Sequence, residues 1–134
     1  MIVVDSTVLA YLLLPSDFTP AAEALLRAEP DWVAPPLWRS EFRNLLLGYF
    51  RRGTLSFEKV VAVQSEAEEL LADGEYSVDS PAVLQLVRES RCSAYDCEFV
   101  ALAIKLNTIV VTLDKQILSE FAKRAVSLGK FGAQ

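Results

Sequence analysis

The sequence predicts an α/β domain of three layers, a central parallel β-sheet flanked by helices. Short apolar runs such as Ile2-Val3-Val4 and Ile109-Val110-Val111 alternate with longer helical patterns. No two-residue hairpin signal separates any pair of them, so the strands have to be joined by crossover helices. Two of the runs are followed almost at once by an acid, Asp5 and Asp114. At 134 residues the chain has the length of one domain, expected to occupy 1–134 without repeat or linker.

The elements follow in order. Ile2-Val3-Val4 reads as a strand buried on both faces. A helix runs from about 8 to 14 and stops before Pro15. Thr19-Pro20 reads as N-cap and first helical residue of a second helix, to about Ala28. Trp32-Val33-Ala34 is a second strand, closed by Pro35-Pro36. A long helix covers about 37–52, with Gly53 at its C′ position. Ser56 caps the next, which ends near Asp73 ahead of Gly74.

Tyr76-Ser77-Val78 reads as a weak strand, and Asp79 or Ser80 before Pro81 opens a helix through Arg88. Ser93-Ala94-Tyr95-Asp96 is a capping-box pattern for a helix ending at Leu106, with Asn107 as its stop. Residues 108–112 form the strongest strand, followed by a helix over about 115–123 and an edge strand over 125–128.

Composition removes several functions. There is no histidine, which excludes Ser-His-Asp and Cys-His catalysis and the usual zinc sites. The two cysteines, Cys92 and Cys97, flank a predicted helix start and are expected to be reduced, buried thiols. No apolar stretch approaches the length of a membrane span, and the N-terminus has no basic region before an apolar one. A cytoplasmic location is expected. The net charge of −5 predicts a weak electrostatic grip on any nucleic acid. That charge is patchy: Glu66, Glu68, Glu69, Asp73, Glu75 and Asp79 crowd one region, and Arg39, Arg43, Arg51 and Arg52 another.

Four acids stand in apolar surroundings: Asp5, Glu41, Asp96 and Asp114. Asp5 and Asp114 follow strands, so both fall on the carboxyl edge of a parallel sheet, where ligands of such sheets bind. Either can equally be the N-cap of the next helix. Glu41 shares a helix face with Leu37 and Leu45, although Arg39 or Arg43 could pair with it on a solvated face. Asp96 shares a face with Phe99, Val100 and Ala103, although its third helical position also suits a carboxylate facing the helix dipole. Glu98 lies on another face and is expected in solvent. Thr112 points to the same side as Asp114 and can hydrogen-bond a carboxylate or a bound water.

Four clustered carboxylates repel one another by roughly 4 kcal/mol per close pair at an effective dielectric of 20. Oxygen-only donors relieve that repulsion best with Mg²⁺ or Mn²⁺. Hydrolysis of a phosphodiester is the natural chemistry of such a site.

Val3-Val4-Asp5-Ser6-Thr7-Val8-Leu9, the mid-chain Glu41, the segment from Ala94-Tyr95-Asp96 to Leu102-Ala103, and Val110-Val111-Thr112-Leu113-Asp114-Lys115 together resemble the PIN-domain ribonucleases. Within them they look like the VapC-like toxins of prokaryotic toxin–antitoxin pairs. The resemblance covers essentially the whole chain. Asp5-Ser6-Thr7 stands where Asp-Thr-Ser or Asp-Ser-Ser is more usual, and the hydroxyls are retained.

The resemblance implies a Mg²⁺- or Mn²⁺-dependent endoribonuclease acting on single-stranded or structured RNA. It also implies a homodimer and a VapB-like antitoxin that fills the active-site groove. Asp5, Glu41, Asp96 and Asp114 become the acidic quartet, supported by Thr112. Asp5 and Asp96 hold metal most directly, while Glu41 and Asp114 complete the shell or position water.

Competing readings are an RNA-processing nuclease of the same fold without an antitoxin, and a catalytically inactive binding module. An aspartate-nucleophile phosphatase is disfavoured because Thr7 stands where that chemistry wants a second acid. Phe42, Leu46, Tyr49, Phe50, Phe57, Val60 and Val61 exceed what one thin sheet can cover, so a partner surface is expected there, with Arg51 and Arg52 near the groove.

Overall fold

The computed structural model describes residues 1–132. Four strands, β1 (Ile2–Val4), β2 (Trp32–Val33), β3 (Val110–Thr112) and β4 (Ala125–Ser127), form one sheet in the order β2-β1-β3-β4. Every pairing is parallel: Val3 stands beside Val33 on one side and Val110 on the other. The helices are α1 (Ser6–Leu13), α2 (Thr19–Ala28), α3 (Trp38–Arg51), α4 (Phe57–Leu70), α5 (Ser80–Glu89), α6 (Ala94–Lys105), α7 (Lys115–Glu120) and α8 (Gly129–Gly132). The α/β three-layer expectation, with its central parallel sheet, describes this architecture.

β1 and β3 are buried at every residue, as their uninterrupted apolar sequences require. α1 packs on α2 and α3, and α3 on α4, while α5 packs on α6 and α6 lies against β1 and β3. α3 turns Trp38, Phe42 and Leu46 into the core at four-residue spacing. α6 is buried over most of its surface from Cys97 to Ala103. Both cysteines are free and buried. Among the described residues no helix is long and apolar enough to cross a membrane.

Caps follow the sequence closely. Ser56 accepts the Lys59 N–H at 3.1 Å and Ser93 the Asp96 N–H at 3.1 Å. Gly53 at φ 75° and Asn107 at φ 53° take the left-handed conformation that ends α3 and α6.

Three expectations are corrected. Tyr76-Ser77-Val78 forms no strand: the contact with the sheet is a single parallel bridge, Ala34 to Glu75, and β3 is the segment over 110–112. The Tyr76 N–H reaches the Ala34 carbonyl, but the Ser77 carbonyl is taken by the Lys105 ammonium at 2.8 Å, and the chain then enters α5. Thr19 is not a cap but the first residue of α2, and its hydroxyl donates to the Tyr11 carbonyl at 2.6 Å, tying α2 to α1. The helix expected over 115–123 ends at Glu120, leaving turns before β4.

The start of α3 is clamped. Arg39 donates from Nε and Nη2 to the Glu75 carboxylate at 2.7 and 2.8 Å and from Nη1 to Glu68 at 2.7 Å. The indole of buried Trp38 donates to Glu75 at 2.9 Å. The Arg39 guanidinium thereby holds the Glu75 carboxyl below its ordinary range. Gly74, just before it, packs so closely that a Cβ would run into the Trp32 carbonyl oxygen. Gly74→Ala is therefore expected to destabilise the protein by about 1–3 kcal/mol, through a backbone clash that no rotamer relieves. Chemical denaturation measures it, and an unchanged midpoint would reject the close approach.

Candidate active site

The site grows out of the sheet order. β1 and β3 are neighbours, and the chain leaves the sheet from both at the same edge. Asp5 follows β1 directly, and Asp114 comes two residues after the end of β3. Glu41 lies in the first turn of α3 and Asp96 in the first turn of α6. All four line one cavity of about 420 Å³, together with Ser6, Thr7, Tyr11 and Asn44. Thr112 lies beneath it, fully buried.

Asp5 is both helix cap and cavity residue. Its Oδ1 accepts the Val8 N–H at 3.0 Å and its Oδ2 accepts the Thr112 hydroxyl. Thr112 Oγ1 in turn accepts the Asp114 N–H at 3.0 Å, so its one proton is directed at Asp5. Burial pushes the Asp5 carboxyl up to about 6, against the lowering effect of the Thr112 and Val8 hydrogen bonds, and the charge of Asp114 adds to the rise.

Glu41 pairs with neither Arg39 nor Arg43; the Ser6 hydroxyl donates to its Oε1 at 2.9 Å. Burial raises it, the Ser6 bond opposes this, and Asp5 and Asp96 repel its ionised form. Asp96 is half-buried and likewise raised, by burial first and then by Asp114. Asp114 stands exposed at the rim, capping α7 by accepting the Ile117 N–H at 2.9 Å. Asp5, Asp96 and Asp114 thus all sit at helix N-termini, whose dipoles offset part of the negative charge.

None of the described residues lining the cavity is basic. The donors are oxygen only and their charges repel, which suits a hard divalent cation. Among the described residues, no three acids or thiols are already gathered closely enough to hold one ion between them. Mg²⁺ does not require that, since it is commonly held by one or two carboxylates and keeps several waters.

Sequence reasoning missed three cavity residues. Ser6, nearly fully buried, was legible only as Asp5's neighbour, and its bond to Glu41 crosses 35 positions. Asn44 follows Glu41 by three residues, the spacing that shares a helix face. Tyr11 had no signal beyond its place on α1.

The raised Asp5 carboxyl fixes the sign of a pH dependence in metal-free buffer. Between pH 3.8 and about 6 the folded chain keeps a proton that the unfolded chain has released, so stability falls as pH rises through that window and levels off above it. Asp5 accounts for about 3 kcal/mol of that fall at most. Asp5→Asn is expected to flatten the profile and to be more stable than the wild type at pH 7, with the difference vanishing below pH 4. Urea titrations in EDTA at several pH values test this, and parallel profiles for the two proteins would refute it.

The PIN domain family model matches residues 2–124. No curated protein matches the sequence. Among solved structures, PAE2754 from Pyrobaculum aerophilum is similar with a TM-score of 0.71 at 20% identity, over 98% of this chain and 96% of that one. FitAB bound to an IR36 DNA fragment is similar with a TM-score of 0.71 at 18% identity, over 96% and 95%. FitAcB from Neisseria gonorrhoeae gives 0.67 at 22%, over 95% and 96%. These structures share the fold, while the sequence match carries the kinship: the chain belongs to the PIN domain family, whose members are generally nucleases.

Proposed function

We propose that this chain is a Mg²⁺- or Mn²⁺-dependent endoribonuclease that hydrolyses RNA phosphodiesters, and that it is the toxin of a toxin–antitoxin pair. The observation carrying the catalytic reading is the convergence of Asp5, Glu41, Asp96 and Asp114 on a cavity that none of the described residues lines with a positive charge. Asp5 and Asp96 would hold the ion, with Asp114 at the rim completing its surroundings. When bound, the ion supplies positive charge to the phosphoryl group under attack.

The protein's own groups do the rest. Ser6 fixes one oxygen of Glu41 and leaves Oε2 to take a proton from the attacking water. Burial raises the affinity of Glu41 for protons, the direction that makes a carboxylate a stronger base. The water oxygen bonds to phosphorus, the phosphorus–oxygen bond to the next ribose breaks, and the departing oxygen is protonated by solvent. Thr112 keeps Asp5 oriented from below.

Cleavage of single-stranded and structured RNA is expected with Mg²⁺ or Mn²⁺ and not with EDTA. Glu41→Gln is expected to lower kcat by about 10²–10⁴-fold, and Asp5→Asn and Asp96→Asn to abolish metal-dependent cutting. Metal at a hundredfold excess over Kd should stabilise the wild type by about 2.7 kcal/mol. Equal cutting in EDTA, or a fully active Glu41→Gln, would sink this reading. A folded wild type that neither cuts nor is stabilised by metal would favour the inactive binding module.

For the antitoxin and a second subunit, support comes from α3 and α4. Phe42 and Leu46 are buried, but Phe50, Phe57 and Val61 are 43%, 62% and 49% exposed, with Phe50 and Phe57 edge to face at 6.2 Å. Such an apolar patch suits a partner's apolar face. Phe57→Ser should change monomer stability by no more than about 0.5 kcal/mol while weakening self-association or antitoxin binding. Sedimentation and titration calorimetry read the two effects, and intact association on both counts would move the interface elsewhere.

A further inference from the structure

Two neighbouring rows of α3 side chains begin in the acidic cavity and run out of it. Glu41, Leu45 and Tyr49 form one row, and Asn44, Gly48 and Arg52 the other, each at four-residue spacing. Glu41, Asn44 and Leu45 line the cavity. At the far end the Arg52 guanidinium lies over the Tyr49 ring, 4.9 Å from its centroid. It folds back along the helix over Gly48, where a Cβ would come within 3.2 Å of its Nη1.

Unlike Arg39 and Arg91, Arg52 makes no ion pair among the described residues. It is exposed, and its backbone closes α3, with the N–H bonded to the Gly48 carbonyl. A cation without a carboxylate partner among the described residues is therefore held on an aromatic face beside Gly48, about 6 Å along the axis from Asn44.

We infer that the Asn44–Gly48–Arg52 row is a strand-binding track, in which Arg52, laid on Tyr49, grips a backbone phosphate of single-stranded RNA whose scissile phosphate sits among the acids. This rests on the nuclease reading above and adds the one positive contact that the cavity lining lacks. Gly48 is part of the device, because its missing side chain lets the guanidinium lie along the helix. The planar fork of arginine matches two phosphate oxygens at once.

The test uses the full chain and a short fluorescent single-stranded oligoribonucleotide in EDTA, with affinity followed by anisotropy across salt concentrations. Arg52→Gln is expected to weaken binding roughly tenfold at low salt and to make the log–log salt slope shallower by about 0.7. Gly48→Ala, which fills the space under the guanidinium, is expected to raise Tm slightly while weakening binding in the same direction. A purely structural role for either residue would not move the salt slope.

An unchanged slope in Arg52→Gln beside a binding wild type overturns the track, and so does a wild type that binds no oligonucleotide. If Arg52→Gln instead loses only an acidic protein partner, the residue belongs to that partner. Metal-dependent cleavage by the wild type, measured in parallel, reports on the nuclease reading by itself. Cutting with an unchanged slope fails the track alone, and slope-sensitive binding without cutting fails the nuclease reading alone.

Discussion

The molecule is organised around one unfavourable placement, the carboxylate of Asp5 taken out of water at the end of the central strand β1. Burial alone drives it toward its neutral form, and none of the described residues lining the cavity beside it is Lys or Arg. What keeps it there is directional: the Val8 amide on one oxygen and the Thr112 hydroxyl on the other. Both donors exist only because α1 begins immediately after β1 and because β3 lies beside it. A buried acid of this kind detracts from stability, and such groups cluster where a chain performs chemistry.

α3 depends on a second constraint, of the opposite character. The Arg39–Glu75 pair, joined by Trp38 and Glu68, fixes the first turn of the helix by four direct hydrogen bonds. Glu41 sits two residues beyond this clamp, so its backbone position is inherited from an ion-pair network on the other side of the turn. The molecule thus sets a bridged cluster next to an unbridged one: two acids bonded to one arginine hold the helix, and acids without a basic neighbour among the described lining residues face the cavity. Electrostatic preorganisation requires this separation, because a site free to neutralise itself internally would have little affinity left for a ligand.

Much of this was legible in the sequence. The apolar runs gave β1 and β3, and position after a strand brought Asp5 and Asp114 to one edge without knowledge of any contact. Ser56, Ser93, Gly53 and Asn107 act through local backbone geometry, which sequence carries directly. What could not be read depends on distant partners. Tyr76-Ser77-Val78 has the composition of a strand, but a lysine 28 positions away takes the Ser77 carbonyl. Ser6 bonding Glu41 and Arg39 choosing Glu75 over Glu41 are outcomes of tertiary packing, for which neighbouring residues give no signal. Asp5, Asp96 and Asp114 showed why cap and site could not be told apart: each occupies a helix N-terminus and lines the cavity.

The bond from Thr112 to Asp5 spans 107 positions, and the strand that carries Thr112 is the one that completes the neighbourhood of β1. On a ribosome the N-terminal strand therefore waits for most of the chain before its partner emerges, a contact of high order that forms late. Until then Asp5 is an ordinary solvated carboxylate and the cavity has no floor. Interrupted synthesis before residue 110 leaves a product that carries Asp5, Glu41 and Asp96 but lacks both β3 and Asp114, so the site has its acids in part and no floor to hold them together. The topology thereby acts as a timer: the acids assemble only after the segment through Asp114 has been made.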